Sequence, residues 1–302
     1  MRRIVSVSIG SSQRDGKAVI SVCGEDFSIE RIGTDGDMQK AIALIKELDG
    51  KVAAFGMGGI DLYLWGGKRR YILREAKKIA RAPKVTPIVD GSGLKNTLER
   101  HAIESLASQD PAMFHGKKVL LTCAADRFGM AQALRNTGSE VLYGDLMFAL
   151  GVPVPIYKLK VLERVVAVLA PLAVQLPFKW LYPTGSKQEE SPDKNKYRKF
   201  YAWADIIAGD YHMIRKYMPE DMSGKIVITN TITPEDVKFL RARRVRELIT
   251  TTPNLGGRSF GTNVMEGLLV ALLDKPVGEI SPEDYNRMLD TIAIESRREV
   301  LV

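Results

Sequence analysis

The sequence predicts an α/β protein of two domains, the second of which is a Rossmann-type doubly wound parallel sheet. Three observations support this prediction. The chain has 302 residues, which exceeds the size at which a single hydrophobic core stops growing. Short runs of β-branched residues alternate with segments of helical periodicity. Residues 117–143 predict a strand, a helix and a second strand, the βαβ unit that normally opens a parallel sheet.

The first predicted domain comprises residues 1–105 together with C-terminal helices from residues 261–302. Alternating β-branched residues predict its strands, and apolar residues at helical spacing predict its helices. The second of the C-terminal helices begins at Ser281 as N-cap, with Pro282 in the first turn. The predicted strands are 4–9, 18–23, 27–32, 52–55 and 85–89, and the predicted helices are 37–48, 71–81, 94–106, 262–273 and 282–297.

The second predicted domain comprises residues 106–260 and contains an insertion at 152–201. Apolar residues dominate 161–180 within the insertion, but charged residues and prolines interrupt them too often for a membrane span. We expect a buried helix that covers a cleft; a segment at a membrane surface and a contact in a homo-oligomer are the alternatives. The predicted strands are 117–122, 140–143, 205–208, 225–230 and 247–251, and the predicted helices are 128–136, 211–218 and 234–243.

Composition narrows the classes of partner. Lysine and arginine exceed aspartate and glutamate by 8, and the pI is about 9.3. This charge favours phosphates, anionic substrates or an anionic membrane surface. The basic residues form no polybasic tail, so we expect no nucleic-acid partner. Cys23 and Cys123 lie in or at the end of predicted strands, which favours buried free thiols and a reducing compartment. The N-terminus enters a strand pattern without an apolar leader, so we expect a cytoplasmic protein.

The junction between the strand at 117–122 and the following helix is a candidate anion site, since such junctions present free backbone N–H groups. Gly129 occupies the third glycine position of the dinucleotide fingerprint, while Ala124 and Asp126 occupy the first and second. Arg127 can offset the charge of Asp126. Asp145 follows the next strand, near the position of the acidic residue that bonds the ribose of NAD. The candidate cofactor is therefore NAD or NADP.

Three segments resemble quinate/shikimate dehydrogenases in order and spacing over residues 85–275. Pro87–Leu98 resembles the family's Asn-Thr-Asp-Gly-x-Gly segment, residues 116–121 resemble the strand that follows it, and Ile226–Pro234 resembles its later strand and Thr-Pro turn. The resemblance implies a NAD(P)-dependent oxidoreductase that acts on a small hydroxylated or carboxylated substrate. It also implies that Asp90 pairs with a catalytic lysine in a cleft between the domains.

The family's Asn-Val-Thr-x-Pro-x-Lys motif is absent, so the resemblance assigns no catalytic lysine. Lys68 and Lys95 are the nearest candidates on chemical grounds, since burial beside Asp90 would tune a lysine for proton transfer. The loop at 56–59 is either an anion cradle or a plain tight turn. The missing motif also favours a second hypothesis, a nucleotide- or ligand-binding protein without redox chemistry.

The loop after the last strand of the second domain is a candidate substrate site, because ligands bind beyond the carboxyl ends of strands in such sheets. Thr252, Asn254 and Asn263 offer polar groups, and Arg258 can hold a carboxylate in a bidentate manner. A domain hinge is the alternative. The histidines show no metal-ligand spacing, so we expect no metal; they are His101, His115 and His212.

Overall fold

The computed structural model describes residues 1–66, 69–175, 196–255, 257–292 and 296–302. It is an α/β protein with two sheets and helices packed on them, which confirms the predicted fold class at this level. The predicted boundaries, 1–105 with 261–302 and 106–260, stay a prediction.

The first sheet has the strand order β2-β3-β1-β4-β7. Strands β2 and β3 are antiparallel, while β1 runs parallel to both β3 and β4. A separate hairpin of β5 and β6 projects between β4 and β7 along the chain. The elements are β1 (Arg2–Ser8), β2 (Gly16–Val22), β3 (Glu25–Gly33), α1 (Met38–Leu48), β4 (Ala54–Gly58), β5 (Tyr63–Gly66), β6 (Arg69–Ile72), α2 (Ala76–Ala80) and β7 (Ile88–Val89).

The second sheet has the strand order β13-β12-β11-β10-β8-β9, and β13 is antiparallel to β12. Two helices, α3 (Ser92–Lys95) and α4 (Leu98–Gln109), connect the first sheet to it. The further elements are β8 (Lys118–Leu121), α5 (Phe128–Asn136), β9 (Glu140–Tyr143), α6 (Asp145–Phe148), α7 (Leu159–Ala173), α8 (Arg198–Trp203), β10 (Ile206–Ala208), α9 (Tyr211–Lys216), β11 (Ile226–Thr229), α10 (Pro234–Ala242), β12 (Glu247–Thr250), α11 (Thr262–Leu273), α12 (Pro282–Ile292) and β13 (Arg297–Val300).

The second sheet is buried on both faces, as a doubly wound sheet requires. Val119 and Leu121 of β8 pack into one hydrophobic cluster, whereas Leu120 between them packs into another. However, the five parallel strands follow the order 2-1-3-4-5 instead of the 3-2-1-4-5-6 order of dinucleotide-binding sheets. The chain therefore places one strand, β9, outside β8, and the Rossmann dinucleotide arrangement expected from the βαβ unit is absent from the described sheet.

Several elements begin and end where the sequence predicts them, among them α5, β9 and α11. The segment 71–81 differs: β6 ends at Ile72 and the helix is confined to Ala76–Ala80. The C-terminal helix ends at Ile292, and Arg297–Val300 forms an edge strand instead. That strand is stabilised by tertiary pairing, including an ion pair between Arg298 and Glu247 of β12, which no local pattern reveals.

The glycines at 56–58 belong to β4 and do not form a loop. A Cβ added at Gly56 would lie 2.9 Å from the Asn263 side chain, and one at Gly58 would lie 2.9 Å from Ser8 Cβ. Gly56 and Gly58 therefore allow α11 and β1 to approach the strand closely. The turn is confined to Gly59, which has a φ of 68°. Gly58 and Gly59 line the cavity described below, so the anion cradle stays a prediction.

The predicted apolar helix of the insertion is confirmed over Leu159–Ala173, and residues 176–180 lie outside the described residues. Leu162 is buried in the core of the second sheet, whereas Val168 and Leu169 are exposed. Within the described ranges no helix is sufficiently long and apolar to span a membrane. The membrane-surface and oligomer alternatives stay predictions.

Candidate ligand-binding cleft

A cavity of about 490 Å³ lies where the carboxyl edges of the two sheets face each other. Ser8 and Gly58, the last residues of β1 and β4, contribute from the first sheet. Cys123 and Asp210, which follow β8 and β10, contribute from the second. The chain leaves β8 for β9 on one side and returns to β10 on the other, so the cavity lies at a topological switch point, the usual place for a ligand in an open α/β sheet. Its volume suits a small molecule.

One end of the cavity is lined by three guanidinium groups. Arg31, on β3, lies 2.7 Å from Asp15 and donates to Ser8 Oγ. Arg14 lies 3.0 Å from Asp236 across the cleft. Arg258 has no carboxylate within 4.0 Å among the described residues. Burial, together with repulsion from Arg14 and Arg258, lowers the pKa of Arg31 to about 10, so this end of the cavity carries positive charge that the protein does not fully neutralise.

Arg258 is held in place by the backbone of the first sheet. Its Nη1 donates to the carbonyl oxygen of Arg14, and its guanidinium lies against Gly16, where an added Cβ would be only 2.6 Å from Cζ. Burial and the nearby Arg14 lower the pKa of Arg258. Gly16 therefore makes room for a cation that faces the cavity.

The other end of the cavity is lined by Lys95 and two carboxylates. Lys95 Nζ lies 2.6 Å from Asp61 Oδ1 and 2.7 Å from Asp126 Oδ1, and its side chain is 6% exposed. Burial by itself would lower the pKa of Lys95, but the two carboxylates outweigh it and hold this pKa well above its usual value. Burial and repulsion from Asp126 raise the pKa of Asp61 to about 7. Lys95 is thus a cation shared by two acids at neutral pH.

A second buried ion cluster supports the floor of the cavity. Arg127 is 2% exposed and pairs with Glu99 of α4, and its other nitrogen lies 3.4 Å from Asp210. Burial raises the pKa of Glu99 to about 7. Asp210 also caps α9 by accepting from the backbone N–H of His212. The cluster thereby fixes α4, the β8–α5 junction and α9 relative to one another.

Asp90 lines the cavity at the crossing between the sheets. Its oxygens accept hydrogen bonds from the backbone N–H groups of Leu62 and Ser92. Glu266 of α11 anchors the same crossing by accepting from Gly91 N, and it also accepts from the hydroxyl of Tyr285. Burial and the nearby Asp90 raise the pKa of Glu266 to about 8. The carboxylate of Asp90 therefore holds the backbone at Leu62 and Ser92 in place.

The predicted cofactor junction is filled by the protein itself. Asp145 accepts from Ala124 N at 3.1 Å and from Ala125 N at 2.8 Å. These are the amides that a diphosphate would need. Burial raises the pKa of Asp145 to about 6. Asp145 thus occupies the backbone amides of the junction itself, and its carboxylate is not available to bind a ribose.

The remaining cofactor candidates are similarly engaged. Asp126 is paired with Lys95 and Arg127 with Glu99, so Arg127 is not free to offset a phosphate. Gly129 N donates to Asn96 Oδ1, and a Cβ at Gly129 would lie 2.5 Å from the carbonyl oxygen of Asn96. Gly129 therefore serves close packing of α5 on the α3–α4 turn.

The structure separates the four candidates for substrate binding. Arg258 and Asn263 line the cavity, whereas Thr252 and Asn254 do not. Thr252 is buried and donates to the carbonyl of Asn230, and Asn254 accepts from Gly257 N in a turn. Of the catalytic candidates, Lys95 and Asp90 line the cavity, while Lys68 lies outside the described residues.

Sequence analysis missed Arg14 and Arg31, because each follows or lies within a short strand pattern that carries no ligand motif. It also placed Cys23 in a buried position, but Cys23 is exposed in the turn between β2 and β3 with φ 51°. Cys123 is buried and lines the cavity. Among the described residues, no group of three or more His, Cys, Asp or Glu side chains could hold a metal ion.

Two family models match the chain. Residues 93–301 match the model described as Domain of unknown function (DUF8754), and residues 3–90 match Domain of unknown function (DUF8753). The first match spans more than half of the chain, so the protein belongs to the DUF8754 family. No curated protein matches the chain.

Solved structures similar to this chain include an arabinose binding protein from Geobacillus stearothermophilus, with TM-score 0.42, 10% identity and coverage of 99% of this chain and 97% of that one. A glucose-galactose binding protein from the same organism has TM-score 0.39, 10% identity and the same coverages. An ABC transporter solute binding protein from Burkholderia multivorans has TM-score 0.37, 11% identity and coverage of 99% of each chain. At these TM-scores the likeness carries no argument about what this chain binds.

The predicted quinate/shikimate dehydrogenase relationship is wrong, since the family models that match the chain are DUF8754 and DUF8753 and not a dehydrogenase family. The predictions of a NAD(P)-dependent oxidoreductase and of NAD or NADP as cofactor are wrong with it. The geometry gives the physical reason: the strand order differs from that of dinucleotide-binding sheets, and Asp145 occupies the amides of the junction.

Proposed function

We propose that the protein binds a small anionic molecule in the cleft between the two sheets. One observation carries the proposal: Arg14, Arg31 and Arg258 line the same end of the cavity, and Arg258 has no carboxylate within 4.0 Å in the described part of the chain. Guanidinium groups are well suited to planar, bidentate recognition of anions. A partly buried cation without a counter-ion is costly, and an anionic ligand reduces that cost.

The architecture favours reversible binding over a fixed structural ion. The two sheets contribute opposite walls of the cavity, and the contacts that cross it are polar. Arg14 meets Asp236 of α10, and Arg258, which follows β12, donates to the carbonyl oxygen of Arg14. We propose that the two sheets are the cores of two domains that meet at this cleft. Polar contacts between domains are readily exchanged for contacts with a ligand.

The test is isothermal titration of the purified protein with a panel of small carboxylates, phosphates and neutral polyols. We expect anions to bind and neutral polyols of the same size to bind at least tenfold more weakly. Arg258→Gln should lower anion affinity at least tenfold. Arg164→Gln, which removes an exposed arginine of α7, is the matched control and should leave it unchanged. Anion binding that is equal in the two variants, or absent from the parent, would overturn the proposal.

A further inference from the structure

The side chains at the arginine end of the cleft carry two more positive charges than negative ones. Four guanidinium groups, those of Arg14, Arg31, Arg215 and Arg258, are close to one another and to two carboxylates, Asp15 and Asp236. Asp236 is shared, since it lies 3.0 Å from Arg14 and 2.8 Å from Arg215. Glu235 is exposed and attracts Arg258, but Lys216, which lines the cavity, adds one positive charge and balances it.

The donors at this end are only partly used. Arg14 Nη2 is buried and has no hydrogen-bond partner in good geometry, although it lies near Asp236. Arg258 donates from Nη1 to a backbone carbonyl, and its Nε and Nη2 have no acceptor among the described residues. Arg31 is the most fully satisfied, with bonds to Asp15, Ser8 and the carbonyl of Ser11. Arg14 and Arg258 are therefore the groups that can turn to a ligand.

The start of α11, a helix of 12 residues, also reaches the cavity. Its N-cap is Gly261, which offers no side-chain acceptor, and Thr262 and Asn263 line the cavity. The first amides of a helix have no intrahelical partner, and the helix dipole favours an anion there. Tetrahedral oxyanions use such a set of amides together with arginines more completely than a planar carboxylate does.

We infer that the ligand carries a phosphate monoester and that its dianion is bound by Arg14, Arg258 and the first turn of α11. This inference rests on the proposed function and names the anion. A dianion matches the excess of two guanidinium groups, whereas a monocarboxylate would leave one unpaired. Arg14 would then exchange its contact with Asp236 for one with phosphate, and Asp236 would keep Arg215 and its place in the capping box of α10.

The experiment titrates the intact protein with methyl phosphate, acetate and malonate at pH 7.5 and pH 5. Malonate matches the charge of the phosphate dianion but spreads it over two planar groups. We expect methyl phosphate to bind at least tenfold more tightly than either carboxylate at pH 7.5. Its affinity should fall at pH 5, because its second pKa is near 6. Gly16→Ala, which pushes Arg258 from its position without removing it, should weaken methyl phosphate at least fivefold.

Gly278→Ala is the matched control for the glycine variant, since an added Cβ there meets nothing within 4 Å. Circular dichroism of both variants verifies that they are folded. If malonate or acetate binds as tightly as methyl phosphate and Arg258→Gln weakens it, the phosphate assignment is overturned and the anion-binding function stands. If none of the three binds, or if Arg258→Gln and Gly16→Ala change nothing, both are overturned.

Discussion

Lys95 of α3 lies 2.7 Å from Asp126, which follows the first strand of the second sheet. Because Lys95 also meets Asp61 from the loop after β4, this one ammonium group joins three segments that are far apart in the sequence. Its loss would leave the two carboxylates, each less than a fifth exposed, facing each other without the ammonium group between them.

We expect Lys95→Met to lower the free energy of unfolding by about 3 kcal/mol at pH 8, the typical cost of breaking a buried ion pair. The cost should shrink toward pH 5, because the carboxylates of the variant then take up protons in the folded state. Urea denaturation at the two pH values measures both effects. Lys78→Met, at an exposed position of α2, should change stability little, and equal losses in the two variants would contradict the prediction.

Glu266 should make folding less favourable as the pH rises. Its pKa is about 8 in the folded protein, raised by burial and by Asp90, against 4.5 for an ordinary glutamate. The folded state keeps the proton that the unfolded state releases, so the contribution of Glu266 to stability falls between about pH 4.5 and 8.

We therefore expect Glu266→Gln to gain stability relative to the parent as the pH is raised from 5 to 8, although it loses one acceptor for Gly91 N or Tyr285. The measurement is the melting temperature across this range. Glu104→Gln, on the exposed side of α4, should follow the parent at every pH. A constant difference between Glu266→Gln and the parent would disprove the shifted pKa.

Gly129→Ala should destabilise the protein, because the new methyl group would lie 2.5 Å from the backbone carbonyl of Asn96. Overpacking of this kind costs about 2 kcal/mol, which exceeds the gain in helix propensity from alanine. Chemical denaturation measures the loss. Gly278→Ala has open space around its Cβ and should be close to neutral, so equal stability of the two variants would refute the packing role.

The two cysteines should differ sharply in reactivity. Cys23 is exposed, whereas Cys123 is buried and burial raises the pKa of its thiol to about 12. The thiolate is the reactive form. Ellman's reagent should therefore label only one thiol in the native protein and both in denaturant, and Cys23→Ser should remove the native label. Fast native labelling of Cys123 would mean that the cleft opens to solvent far more than the structure indicates.

Much of the fold was predictable because apolar periodicity is a local signal. The helix Phe128–Asn136 and the strand Glu140–Tyr143 follow directly from the spacing of their apolar residues. Strand order is a different kind of fact, since it depends on which strands meet after the chain has folded. The βαβ unit at 117–143 fits either order of a doubly wound sheet, so the sequence could not reveal which one this protein has.

The cleft was predictable only where a residue follows a strand of the second sheet. Arg258 stands in a loop of that kind and Asn263 in the first turn of the helix that follows it, and both line the cavity. Arg31 lies on β3 and Arg14 in the connection between β1 and β2, and both reach the same place through the tertiary fold. The misplaced role of Asp145 has a similar origin, because a carboxylate near the end of a strand can hold a ribose or bond its own backbone, and only geometry distinguishes the two.

The carboxylate of Asp145 accepts hydrogen bonds from the amides of Ala124 and Ala125, and it therefore competes with any free anion for these amides while it is tethered to the chain. A tethered group acts at an effective concentration that can reach the millimolar range or above, so a free anion at lower concentration does not displace it. This competition weakens only as the pH falls through about 6, where Asp145 takes up a proton. Near neutral pH the protein therefore occupies the amides of the β8–α5 junction from within, which leaves the arginine end of the cleft as the proposed anion site.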